Sequence, residues 1–230
     1  MKSYGYILFL TILTIFMNGC KKQPDCPEPM GYQQYGEPFS NVPATEDMVM
    51  YEVNLRAFSQ EGNLAGVQQK LDHLVSLGVN VIWLMPIQPN GGPLNSPYCI
   101  SNFYDVDEEY GTLEDLRTFV AEAHSRNMAV ILDWVANHTS WDHPWIDSTG
   151  WYTTDAQGNI IHPSGTNWTD VADLNFDNTA LQEQMIDAMR YWVLEANVDG
   201  YRCDAADYVP FDFWQKSIDS LRIIPNREII

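Results

Sequence analysis

The chain has 230 residues, with 12 Lys or Arg against 31 Asp or Glu, for a formal charge of −19. That balance excludes a nucleic-acid partner, because such binding depends on neutralising phosphates with Lys and Arg, and it agrees with an uncharged one. The length and the 45% hydrophobic content suit one large domain rather than two.

Residues 6–17 form an apolar run behind Lys2, followed by Asn18, Gly19 and Cys20. The run is too short to span a bilayer and has the proportions of a secretory signal. A cysteine directly after a small residue resembles the cleavage point of a bacterial lipoprotein; an ordinary signal peptide with an incidental cysteine is the alternative. The first reading makes 1–19 a removed signal and Cys20 the lipidated N-terminus. It anchors a secreted protein to the bacterial outer membrane, on the periplasmic or the surface face. Residues 20–43 are rich in Pro, Gly, Gln and Glu and have no hydrophobic period, so they read as a flexible tether. After cleavage Cys26, Cys99 and Cys203 remain, an odd number from which no disulfide framework follows.

The domain proper occupies 44–230. Residues 48–58 alternate around Val49, Tyr51, Val53 and Leu55 and predict a first strand. Val67, Leu71, Leu74 and Val75 recur at helical spacing, with Gly78 as the stop. Residues 79–87 are continuously apolar, as in a strand covered on both faces. Thr112 and Asp115 have capping-box spacing and open a helix with Leu113, Leu116, Val120 and Ala123 on its inner stripe. Residues 128–132 are a third strand, and a fourth begins near Val198. The gap between them holds one helix, 179–197, with Leu181, Met185, Ala188, Met189 and Trp192 on one face. That leaves 139–178 as an inserted subdomain, with a hairpin tip at 155–159. Its Trp141, Trp145, Trp151 and Trp168 are expected mostly in a small core, with one or two facing a ligand. A last helix, 211–221, precedes the start of a fifth strand at 227–230. Repeated strand–helix alternation predicts an α/β fold: a partial (β/α)8 TIM barrel of about the first four to five strands, with a short inserted subdomain after the third. An open doubly wound sheet is the alternative, but no Gly-rich phosphate loop follows the first strand.

Two strand ends carry the chemistry. Residues 128–132 lead into Asp133, Trp134, Val135, Ala136, Asn137 and His138. The second end runs Gly200, Tyr201, Arg202, Cys203, Asp204. An Arg and an Asp two apart on a strand share a face, and the guanidinium holds the carboxylate ionised and oriented, as a nucleophile requires. A structural ion pair at a strand end fits the second pattern equally well.

The D-x-x-x-N-H pattern of Asp133 to His138 and the G-[FY]-R-x-D pattern of Gly200 to Asp204 resemble signatures of the alpha-amylase superfamily of glycoside hydrolases (family 13). Asp173-Leu174-Asn175 is similar to the short segment between them, and Ser96-Pro97-Tyr98 with Tyr110-Gly111-Thr112 to the region after the second strand. The resemblance covers about 44–230. It implies that Asp204 is the nucleophile of a retaining mechanism, that Arg202 orients it, and that Tyr98, His138 and Asp133 hold the substrate. It implies α-glucan or malto-oligosaccharide substrates. A Ca2+ ion on Asn137 and Asp173 is the one cofactor it suggests. The relatives' His after the nucleophile is Tyr208 here, the intervening Lys is Asp207, and Asn102-Phe103 replaces a commoner Asp-Tyr. The family's general acid, a Glu ending the fifth strand, has no counterpart, since Glu228 falls at that strand's entrance. The chain is therefore expected to be an N-terminal part of a longer enzyme, inactive or nearly so and poorly stable alone. Transglycosylation and non-catalytic glycan binding are the alternatives.

Overall fold

The structure is a computed structural model that describes residues 31–230. The signal at 1–19, the lipidation site Cys20 and Cys26 lie outside the described residues. No described helix is long and apolar enough to cross a membrane.

Four strands form a parallel sheet: β1 (Met50–Val53), β2 (Val81–Leu84), β3 (Ala129–Trp134) and, after two short strands described below, β6 (Gly200–Cys203), in the order β1-β2-β3-β6. Helices fill the connections. After β1 come α1 (Leu55–Phe58), α2 (Leu64–Gln68) and α3 (Leu71–Ser76); α4 (Leu113–Ser125) leads into β3, α5 (Thr179–Glu195) into β6, and α6 (Phe211–Arg222) follows β6. This is the α/β alternation expected of a partial barrel.

Period-2 geometry divides each strand between two faces. Val53, Ile82, Leu84, Val130, Leu132, Trp134 and Tyr201 pack beneath the helices in the main core. Val81, Ala129 and Ile131 belong to a smaller cluster on the inner face, with Trp83 beside it. The six residues of β3 could not be sorted by alternation because every position is buried.

The helix signals carry over with small changes. Thr112 and Asp115 form the reciprocal capping box of α4. Its buried stripe is Leu116, Phe119, Val120 and Ala123; Leu113 is only partly covered, and Phe119 takes the central place. All five residues assigned to the inner face of α5 are buried, each large one contributing about 1.5–3 kcal/mol. The helix stops two residues early, because Asn197 turns left-handed at φ 62°.

Four expectations need correction. The predicted first strand, 48–58, is a four-residue strand followed by α1, since Leu55 begins a helix whose buried side chain enters the core. The helix predicted over 67–75 is two pieces, α2 and α3. The described part of the tether, 31–43, is bound to the domain. Tyr35 N donates to the Leu194 carbonyl at 2.8 Å, Tyr32 Oη reaches Asp187 at 2.6 Å, and Phe39 stacks on His124 at 4.5 Å. Its polar composition hid these aromatic anchors. Residues 227–230 form no ladder strand, but Ile230 N donates to Asp199 O at 2.9 Å and Tyr201 N to Ile230 O at 3.1 Å. Gly200 permits this approach, since a Cβ there would collide with the Ile230 carbonyl.

The segment between β3 and α5 contains an antiparallel pair, β4 (His138–Ser140) with β5 (Val171–Asp173), and a hairpin closed by the Thr154–Ile160 bridge. The tip at 155–159 is as expected. Tyr152, Ala172, Leu174 and Phe176 join the main core, so the segment is an elaboration of the barrel rather than a subdomain with a core of its own.

Candidate active site

Register brings Asp133 on β3 beside Arg202 on β6, and Asp204 follows two residues later on the same inner face. Arg202 Nη1 donates to both oxygens of Asp133 at 3.1 Å and to Asp204 Oδ1 at 2.9 Å. One guanidinium thus joins the two strand-end carboxylates. Trp83 on β2 supports the group from below: its Nε1 donates to Asp133 Oδ2 at 3.1 Å, and its ring lies 4.7 Å from the guanidinium carbon.

The loop after β2 contributes Tyr98, whose hydroxyl donates to Asp133 Oδ2 at 3.3 Å. His138 Nε2 donates to the Tyr98 carbonyl at 3.2 Å, while Nδ1 accepts from Asn137 Nδ2 at the same distance. These contacts close a cavity of about 250 Å3 whose walls include Tyr98, His138, Trp168, Asp170 and Asp204. After Asp204 the chain turns sharply through Ala205, held left-handed at φ 45°. A non-glycine residue there stores about 1–2 kcal/mol.

Burial pushes the Asp133 carboxyl up to about 6, against the opposing pull of Arg202. Burial lowers His138, so its imidazole is neutral at pH 7, consistent with one nitrogen donating and the other accepting. Burial and the neighbouring Asp133 raise Tyr98, which keeps its phenol protonated.

The Asp133 shift predicts a pH dependence. Its folded value lies above the ordinary aspartate value of about 3.9, so the folded state holds the proton more tightly than the unfolded chain. The stability this confers is fully present below about pH 4 and is lost as pH rises through about 6. In urea melts, wild type should gain about 2–3 kcal/mol relative to Asp133→Asn between pH 7.5 and pH 4. Parallel pH profiles for the two proteins would refute the shift.

The sequence matches the model of the alpha-amylase catalytic domain over residues 33–159 and 151–228. The chain belongs to the alpha-amylase family. It is 33% identical over 194 residues to alpha-amylase 3 of Dictyoglomus thermophilum, covering 74% of this chain and 38% of that one. It is 35% identical to a trehalose synthase/amylase of Mycolicibacterium smegmatis, covering 70% and 33%. Among solved structures it resembles the alpha-amylase of Lactobacillus plantarum, with a TM-score of 0.72, 38% identity, and 76% and 42% coverage. The chain therefore spans about a third of the length of these curated relatives.

Within this alpha-amylase frame, Tyr98, Asp133, His138, Arg202 and Asp204 come together at one pocket. Asn137 and Asp173 do not face it. Asn137 turns to His138, and half-buried Asp173 lies beside Thr153 and His162, which accompany a burial-raised carboxyl. Calcium takes six to eight oxygens, backbone carbonyls and waters among them, and these two side chains would supply two of that set. Cys203 sits with Tyr201 on the helix-covered side, its thiol pushed up to about 11 by burial. Glu228 is exposed and precedes Ile230, which pairs at the entrance of β6, at the end of the sheet opposite Asp204.

Sequence reasoning missed Trp83 and Asp170. Trp83 stood in an all-apolar run that gave no sign of which face it joined. Asp170 lay in the segment whose path no periodicity fixed. Among the four tryptophans, Trp168 faces the pocket, packed between His138 and Tyr208 at 5.8 and 5.4 Å. Trp145 and Trp151 pack on each other, and 40%-exposed Trp141 donates to the Thr169 carbonyl at 3.0 Å.

Proposed function

We propose that this chain carries the nucleophile side of a retaining α-glucosidic active site acting on starch-like glucans or malto-oligosaccharides. The observation that carries the reading is Arg202, which holds Asp133 and Asp204 together at a sugar-sized pocket walled by Tyr98, His138 and Trp168. Asp204 attacks the anomeric carbon, the glycosidic oxygen leaves with a proton, and a covalent glycosyl-aspartate forms. Water then releases the sugar. Tyr98 and Trp168 offer aromatic faces to the apolar C–H side of the ring, and a sugar oxygen competes with the Tyr98 carbonyl for the His138 Nε2 proton.

The leaving oxygen needs a proton donor about 5–5.5 Å from the nucleophile. None is assigned among the described residues: Asp133 is tied to Arg202, and Glu228 lies at the far end of the sheet. Residues 31–230 by themselves are thus expected to bind sugar and turn it over poorly. A calcium ion on Asn137 and Asp173 enters no step of the reaction.

Transfer of the glycosyl group to a sugar acceptor is the second reading, favoured by the identity with trehalose synthases. Incubating the full-length protein with a fluorinated glucosyl fluoride decides the first half of either reading. A glycosyl adduct on the peptide containing Asp204 is expected, and an adduct elsewhere or none would remove the proposal. The lipid anchor belongs to the same proposal: labelled palmitate should enter the protein in its bacterial host and be lost in Cys20→Ser. Labelling that survives this substitution would place the lipid elsewhere.

A further inference from the structure

Asp170 has no structural employment. Its backbone is fixed: Cys99 Sγ donates to its carbonyl at 3.4 Å, Trp141 Nε1 holds the preceding Thr169 carbonyl at 3.0 Å, and Val171 begins β5 paired with Ser140. Its side chain is half-buried in the pocket wall, near enough to His138 to favour the charged imidazole, and it lines the same cavity as Asp204. Yet among the described residues its carboxylate has no hydrogen-bond donor and no ion-pair partner. A carboxylate can only accept, and this one accepts nothing from the protein around it. The missing donors are those a sugar hydroxyl supplies. A phosphorylated sugar brings negative charge into the same recess, whose adjoining guanidinium, Arg202, is already bonded to Asp133 and Asp204.

We propose that Asp170 is a specificity-determining residue of this pocket, its free carboxylate accepting hydroxyls of an uncharged glucosyl unit and rejecting a phosphorylated one. The proposal rests on the glycosidase reading above and deepens it to a class of substrate.

The test uses the full-length protein with 4-nitrophenyl α-glucoside and its 6-phosphate. Asp170→Asn should raise KM for the neutral glucoside about tenfold, the worth of one charge-assisted hydrogen bond, while kcat stays within about twofold. It should also narrow the discrimination against the phosphate about tenfold, and Asp170→Glu should restore part of both. Asp170→Ala, with its melting temperature checked, guards against a folding artefact. Unchanged KM and unchanged discrimination in both Asn and Ala variants would overturn the proposal. So would a loss confined to kcat, which marks a proton-transfer group instead. If wild type turns over neither these glucosides nor malto-oligosaccharides, the glycosidase reading itself has failed, and binding of maltotriose followed by tryptophan fluorescence then decides the role of Asp170. Tenfold weaker binding by Asp170→Asn supports it, and equal binding ends it.

Discussion

Asp204→Asn in the full-length protein is expected to lower kcat on malto-oligosaccharides by at least about 10⁴-fold while leaving sugar binding within a few-fold. The amide keeps the shape of the side chain and one acceptor oxygen for Arg202, now 2.9 Å from Asp204 Oδ1, but it removes the anion that attacks the anomeric carbon. The effect falls on kcat because the pocket walls, Tyr98, His138 and Trp168, are untouched. Turnover that survives the substitution would show that another group forms the covalent bond. Weak turnover in both proteins with equal sugar affinity would instead favour the glycan-binding alternative.

Arg202→Met is expected to damage stability and activity together. Asp133 has a fully buried side chain, and Arg202 is its one cationic partner among the described residues. Removing one member of such a pair costs about 3–5 kcal/mol; because Arg202 is 36% exposed, the lower end, about 3 kcal/mol, is the expected loss at pH 7. The loss should shrink as pH falls, since an uncompensated Asp133 takes up a proton more readily still. The same substitution frees the Asp204 carboxylate from its orienting bond, and misplacement of a reacting group by about 1 Å costs about 10²-fold in kcat. Arg202→Lys should recover part of the stability through charge, and less of the rate, because an ammonium lacks the planar fork that also stacks on Trp83. Denaturant melts at pH 5 and pH 7.5 alongside steady-state kinetics measure both effects. A variant as stable as wild type at both pH values would show that the bridge has no role in the fold.

The legible part of this protein was local. Thr112 and Asp115 announced the start of α4 because a capping box is a contact between residues three apart. The inner face of α5 followed from 3.6-residue spacing alone. Arg202 and Asp204 share a face because strands repeat every two residues, a constraint independent of what packs around them. The aromatic anchors of residues 31–43 were illegible for the opposite reason: Tyr32, Tyr35 and Phe39 find Asp187, Leu194 and His124, partners 85 or more positions away.

By itself, then, the order of amino acids determined the strand–helix alternation, the two strand-end motifs and the membership of the alpha-amylase family, since each depends on short-range periodicity or on fixed spacing. Only the tertiary structure decided that Arg202 serves Asp133 as well as Asp204, that Trp83 lies beneath both, and that Trp168 and Asp170 wall the pocket. Those facts arise where β3 and β6 are set in register and where β5 folds back on β4, and such pairings join residues that no local period relates.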